Sequence, residues 1–205
     1  MGRCLFLKPI KGAGGDLPSV MGFVEDADEI DHYALHAADL ARYAALLLPA
    51  HLDQRYLGEI APVIEAYLDR GGTLVFNGHV AWPMLPEFQA FVPLPQGGLD
   101  QLQVHLVTPH PVFAGVDMAD LTYRRGVAGF YARGHNPPPE GAVPVLGLGP
   151  ERRPCDWVYE RPRGGRIFMH AGNDLWMYAG ADRPAARIVP QLCAWAVGHD
   201  KEVPA

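Results

Sequence analysis

A layered α/β fold with an at least partly parallel sheet is what this sequence predicts, and three stretches predict it. Residues 44–51, AALLLPAH, form a continuous apolar run, as expected of a strand covered on both faces. Asp53 then stands as an N-cap before a helical pattern in which Tyr56, Leu57, Ile60, Val63, Ile64, Tyr67 and Leu68 recur at three- and four-residue spacing. Gly71 and Gly72 stop that helix, and TLVFN at 73–77 is a second buried strand. Strand, helix and strand in such close succession make a βαβ unit with a right-handed crossover.

The remaining elements take their places around this unit. RCLFLKP, 3–9, reads as a short first strand, followed by a flexible glycine-rich KGAGGD that lacks the spacing of a phosphate-binding loop. Residues 17–27 are expected to form a short helix, and EIDHYALH, 29–36, a second strand of mixed polarity near a sheet edge. In the second half QVHLVTP, VAGFYARG, AVPVLGLG, CDWVYERP and GRIFMHAG are short, alternating and punctuated by Gly and Pro, which reads as β-hairpins or an extension of the sheet. A last helix is expected over 185–197, with Pro190 either kinking it or marking its first turn.

At 205 residues, with 49% apolar and 20% charged side chains, the chain is expected to be one globular domain over 1–205. No apolar run approaches the roughly 18 residues of a membrane span, and no secretory signal is expected from MGRCLFLKPIKG. Three unclustered cysteines, Cys4, Cys155 and Cys193, fit a reducing cytoplasm and argue against a disulfide framework or structural zinc. Net charge is −6, and the arginines at 152–166 are interleaved with Glu151, Asp156 and Glu160, so neither nucleic acid nor a membrane is an expected partner. A small-molecule ligand and a homo-oligomer are the partners left open.

The most informative stretch is GGTLVFNGHVAW, 71–82, a buried strand running into a glycine turn that presents His79. In open α/β sheets ligands bind just beyond the carboxyl ends of strands, where such turns place their residues. This stretch, together with ADLARYAALLLPAHLD, TPHPVFAGV and GGRIFMHAGNDLW, resembles the class I glutamine amidotransferase-like superfamily; TPHPVFAGV is similar to a phrase of its trehalose-utilisation-protein (ThuA-like) branch. The resemblance implies a flavodoxin-like three-layer sandwich with a mainly parallel sheet, here with additional β-hairpins in the C-terminal half. It also implies a cysteine nucleophile in a G-x-C-x-G turn, a histidine late in the chain and a glutamate two residues after it. This sequence departs from two of the three: His79 stands where the cysteine should be, His170 matches the histidine, and Gly172 occupies the glutamate position, with Asn173 and Asp174 just beyond. Imidazole cannot form the thioester that glutaminase chemistry needs, so ammonia release from glutamine is not expected.

Histidines follow several of the expected strands: His36, His51, His79, His110 and His170. One reading brings His79, His110 and His170 with Asp174 into a shared pocket for acid–base work or a divalent metal. The other lets each histidine serve its own loop, and no H-x-H, H-x-x-x-H or H-E-x-x-H spacing favours a metal, so no metal or cofactor is assigned. Asn77 and Gly78 are either ligand neighbours or turn formers, and His110 before Pro111 is read more readily as a fixed extended loop. Asp174 either orients His170 or, the reading preferred, caps a turn beginning at Leu175. Trp82, Tyr131, Trp157, Trp176 and Tyr178 are candidates for sugar stacking, with core packing the ordinary alternative, and the only serine, Ser19, has no hydrolase context.

The candidate catalytic residues are therefore His79, His170 and Asp174, and the candidate ligand-binding residues Asn77, Gly78, His79, His110 and Asn173. The expected function is an amidotransferase-like domain without its nucleophile, binding a small polar metabolite or sugar. The alternatives are a histidine-based, metal-assisted or metal-free, hydrolase or isomerase on a carbohydrate-like substrate, and a subunit whose C-terminal half packs on a partner.

Overall fold

The computed structural model describes residues 2–9, 26–124, 126–180 and 183–199. In chain order the strands are β1 (Arg3–Lys8), β2 (Ala27–Asp31), β3 (Tyr43–Leu48), β4 (Thr73–Asn77), β5 (Val92–Pro93), β6 (Val104–Leu106), β7 (Tyr123–Arg124), β8 (Val127–Ala128), β9 (Gly134–His135), β10 (Val143–Leu148), β11 (Arg153–Glu160) and β12 (Arg166–His170). Eight of them form one sheet in the order β2-β1-β3-β4-β12-β11-β10-β6. The pairings from β2 through β12 are parallel, and those from β12 out to β6 are antiparallel. The chain is thus mixed α/β around a large sheet that is mostly parallel at its centre. Short ladders β5–β9 and β7–β8 lie outside this sheet.

Strand composition follows from burial on both faces. Along β1, Cys4 and Phe6 face one core cluster while Leu5 and Leu7 face the other; β3, β4 and β12 alternate in the same way. The first cluster is closed by α4 (Ile188–Ala196) through Ile188, Leu192 and Trp195. The second is closed by α1 (Gln54–Glu59) and α2 (Ala61–Asp69) through Leu57, Ile64 and Leu68. A short α3 (Met118–Thr122) packs beside β6, its Thr122 hydroxyl accepting the Val104 N–H at 2.9 Å.

Several expectations are adjusted by local chemistry. The single helix expected after Asp53 is broken at Ile60 into α1 and α2, because Pro62 has no N–H for the Gly58 carbonyl and restarts the helix in its own first turn. Asp53 caps it as expected, accepting the Arg55 and Tyr56 N–H groups at 3.1 Å each. The second strand ends at Asp31, where the side chain accepts the Tyr33 N–H at 2.9 Å and starts a 3-10 turn over His32–Ala37. The expected helix at 17–27 lies outside the described residues up to 25, and Ala27 already belongs to β2. Pro190 sits in the first turn of α4, where its missing N–H costs nothing. Among the described residues no helix is long and apolar enough to cross a membrane.

The two-sided burial makes the central strands sensitive to lost volume. Leu46 is fully buried in β3, so Leu46→Ala is expected to lower unfolding free energy by about 2–5 kcal/mol in urea titration. A change below about 1 kcal/mol would show that strand not to be packed on both faces.

Candidate functional site

The carboxyl ends of the adjacent parallel strands β3, β4 and β12 lie side by side, and the loops that follow them form one rim. Hydrogen bonds tie the three loops together. The Asn77 amide, at the end of β4, donates to the Leu48 carbonyl at 3.3 Å and accepts the Leu175 N–H at 3.1 Å. The Gly78 N–H donates to the His170 carbonyl at 2.9 Å. Gly78 adopts φ +108° with Ala50 close to where a Cβ would stand, so a glycine suits the turn on two counts. Asn136 holds the far side of the turn, donating to the Gly78 carbonyl at 2.8 Å and accepting the Val80 N–H at 3.0 Å.

His79 stands exposed at the tip, its ring stacked on Phe91 with centroids 3.6 Å apart and planes 17° from parallel. Desolvation of the packed face lowers its pKa below the usual 6.5, and the nearby His170 and His51 lower it further. The neutral imidazole, able to accept a proton, is therefore favoured at pH 7. His51, in the loop after β3, has φ +64° and is exposed. Apart from it, Arg152 is the described non-glycine residue with positive φ, and such backbone strain clusters at functional sites.

Asp174, after β12, is 3% exposed. It stands at the N-cap position of the 3-10 turn Leu175–Tyr178 but makes no capping bond; its Oδ1 accepts the Ala50 N–H at 2.7 Å instead. Burial pushes its pKa up from 3.8 to about 6, against the opposing pulls of that N–H, His170 and His51. The same two histidines thus act on both Asp174 and His79, which places four titratable groups at one end of the sheet.

His170 lies beneath this rim and is fully buried. Its Nδ1 is 2.8 Å from Asp156 Oδ1 and its Nε2 2.8 Å from the Asn173 carbonyl oxygen. A carboxylate and a carbonyl only accept, so as an imidazolium the ring satisfies both. Asp156 Oδ2 also accepts the Tyr131 hydroxyl at 2.9 Å and the Cys155 thiol at 3.3 Å. The carboxylate facing His170 thus comes from the antiparallel neighbour β11, in register Asp156↔His170, and not from Asp174. Gly172 cannot carry a side chain, because a Cβ there would collide with the Tyr131 carbonyl. Asn173 donates from Nδ2 to the Phe130 carbonyl at 2.7 Å and is exposed at the rim.

His110 is not brought to the rim. It starts the 3-10 turn Pro111–Phe113, where Nδ1 accepts the Val112 N–H at 3.4 Å, and its ring packs near Trp195 and Phe168 on the α4 side. Among the aromatic candidates Trp157, Trp176 and Tyr131 are core residues, whereas Trp82 is 50% exposed just beyond His79. Sequence reasoning missed Asp156, Asn136 and the part played by His51. The first two reach the site through long-range register, and the local clue to His51, its left-handed backbone, is not visible in residue types. Among the described residues no cluster of three or more His, Cys, Asp or Glu is disposed to hold a metal.

No protein-family model matches the chain, and no curated protein matches its sequence. Among solved structures, the cytoplasmic protein STM3548 from Salmonella typhimurium aligns over 94% of this chain and 98% of its own, with a TM-score of 0.59 and 14% sequence identity. At that identity the similarity speaks to the fold alone.

Two variants test this geometry. With a folded-state pKa raised above the unfolded value of 3.8, ionised Asp174 costs stability above pH 6, and the cost disappears as pH falls below 4. The stability of the natural chain relative to Asp174→Asn is therefore expected to fall by about 3 kcal/mol between pH 4 and 6 and to level off above. A pH-independent difference in denaturant titrations would contradict the buried carboxyl. Gly172→Ala is expected to lower the melting temperature by several degrees, since the loop must move off Tyr131; an unchanged melting curve would show the contact to be loose.

Proposed function

We propose that this chain is a flavodoxin-like, amidotransferase-like domain that has lost its nucleophile and binds a small polar metabolite or sugar at the rim of β3, β4 and β12, without glutaminase activity. The observation that carries this reading is the convergence of an exposed imidazole, His79, and a buried carboxyl, Asp174, on the loops of neighbouring parallel strands. Perturbed titratable groups at the carboxyl end of such a sheet mark a binding site by their chemistry and their position. Asp174 in particular weakens the fold when ionised, so packing alone does not account for a carboxyl there.

The parallel order β2-β1-β3-β4-β12 corresponds to the flavodoxin-like arrangement and supports the family reading. The loss of glutaminase chemistry is supported by the cysteines. All three are buried and none follows β4; burial holds the Cys155 thiol well above its usual range, and the hydrogen bond with Cys4, joined by burial, does so for Cys193 while lowering Cys4. Cytoplasmic residence is part of the same proposal, drawn from cysteines that are all unpaired. No cofactor is assigned.

A second reading is favoured by the opposed shifts of the two rim groups. A carboxyl raised to about 6 and a histidine lowered below 6.5, on the loops of neighbouring strands, are the kinds of group that acid–base catalysis uses near neutral pH. On that reading His79 takes a proton from a hydroxyl-bearing substrate and Asp174 returns one.

Thermal shift against a panel of sugars, polyols and their acids separates these readings from a purely structural role. At least one compound is expected to raise the melting temperature of the natural chain, and His79→Ala to reduce that shift at least several-fold without changing the unliganded melting temperature. A panel-wide absence of response would remove the binding site, glutaminase turnover would overturn the loss of the nucleophile, and turnover of a bound sugar would select the second reading.

A further inference from the structure

Beside the His79 turn, the guanidinium of Arg55 lies over the Trp82 ring, 5.1 Å from its centroid. Both side chains are exposed, and the loop that carries Trp82 is held rigidly to the helix that carries Arg55. Gln54, the residue before Arg55, accepts the N–H groups of Ala81 and Trp82 at 2.9 Å each and donates to the His79 carbonyl at 2.8 Å. One side chain thereby fixes His79, Trp82 and the start of α1 as a unit. The pyrrole edge of Trp82 rests against Gly58 one turn further along, where a side chain would stand in van der Waals contact with Nε1.

We propose that Arg55 and Trp82 form an anion-recognising edge of the rim site, and that the ligand class is a small polyol bearing a carboxylate, a sugar acid. This deepens the reading of the rim as a binding site and rests on it. Arg55 occupies the second position of α1, where the positive end of the helix dipole opposes a cation. Among the described residues it has no ion-pair partner, in contrast to Arg3, Arg153, Arg161 and Arg163. The nearest carboxylate in sequence, Asp53, is engaged elsewhere: Oδ1 takes the Arg55 and Tyr56 N–H groups and Oδ2 the Tyr33 hydroxyl at 2.9 Å. Among the described residues neither helix stability nor an ion pair accounts for a cation at this place, whose contact is the Trp82 ring.

Stacking on the indole fixes the plane of the guanidinium and leaves its edge N–H groups free to take both oxygens of a carboxylate. The indole surface not covered by Arg55 suits the C–H face of a sugar chain or ring. His79 and His51 supply further donors and acceptors for hydroxyls on the adjoining loops. A neutral polyol would make the second and third of these contacts but not the first.

Gluconate and sorbitol, which share a six-carbon polyol chain and differ in the carboxylate, test the proposal on the full chain. Trp82 is the reporter, because Trp157, Trp176 and Trp195 are buried. Gluconate is expected to change tryptophan emission along a saturable curve at least ten-fold tighter than sorbitol, and the gap to narrow as salt is added. Arg55→Gln, a surface change checked for an unaltered melting temperature, is expected to bring the two affinities together. Trp82→Leu is expected to abolish the emission change and, read by thermal shift instead, to weaken both ligands. Equal affinity for sorbitol and gluconate, or gluconate binding untouched by Arg55→Gln, would overturn anion recognition while leaving the rim a binding site. Failure of both probes would overturn the sugar-acid assignment, with the His79→Ala comparison across the wider panel then deciding the rim itself.

Discussion

Burial of the Asp174 carboxyl against the Ala50 N–H is the constraint on which the rim depends. It joins the loop after β12 to the loop after β3, across β4, and does so with a group that the fold would hold more cheaply if it were neutral. Asn77 makes the same span from within β4, using both ends of its amide. Between them, a carboxyl and an amide determine the separation of three loops and therefore the shape of any ligand site above them. His79 owes its exposed position to this frame, since the turn it tips is bonded on one side to His170 and on the other to Asn136.

The layer beneath is equally constrained. His170, Asp156 and Tyr131 form a closed polar chain in the core, and both histidine nitrogens are occupied. A buried, hydrogen-bonded polar pair of this kind adds little net stability compared with a well-packed apolar substitute, but deleting one member leaves its partner unsatisfied and is costly. Its role here is positional: it fixes β11 against β12 and, through the Asn173 carbonyl, fixes the loop that ends in Asp174. The position two residues after His170 is filled by the Tyr131 backbone, which is why it is glycine. The chain thus supplies a carboxylate to His170 from a neighbouring strand and leaves the residues above it to face the ligand.

Local pattern made much of the fold legible. TLVFN at 73–77 and the apolar run before Asp53 needed only the expectation that strands covered on both faces are continuously apolar, and the helix between them needed only its periodicity. The break at Ile60 was hidden because apolar spacing continues through Pro62 while backbone hydrogen bonding does not. The early end of the second strand was hidden because its outcome turns on Asp31 capping a turn. For the site, His79 stood out because it tips the turn directly after an apolar strand, and Asp174 because it lies just beyond His170. Asp156 did not, because it sits inside a strand that alternates like any other, and only the antiparallel register places it against His170. The separation of His110 from the other histidines was equally a matter of topology, since it follows a sheet-edge strand that no local pattern distinguishes from a central one.

Taken together, the rim combines a proton-accepting imidazole, a buried carboxyl of raised pKa and, at the start of α1, a guanidinium stacked on an indole, around three rigidly joined loops. That combination suits a polar ligand held by directed hydrogen bonds and one charge. The carboxyl ¹³C resonance of Asp174, followed by NMR through a pH titration of the natural chain, tests the central claim most directly. A midpoint near 6 is the expected result; a midpoint near 3.8 would show an open, water-filled rim and contradict the account.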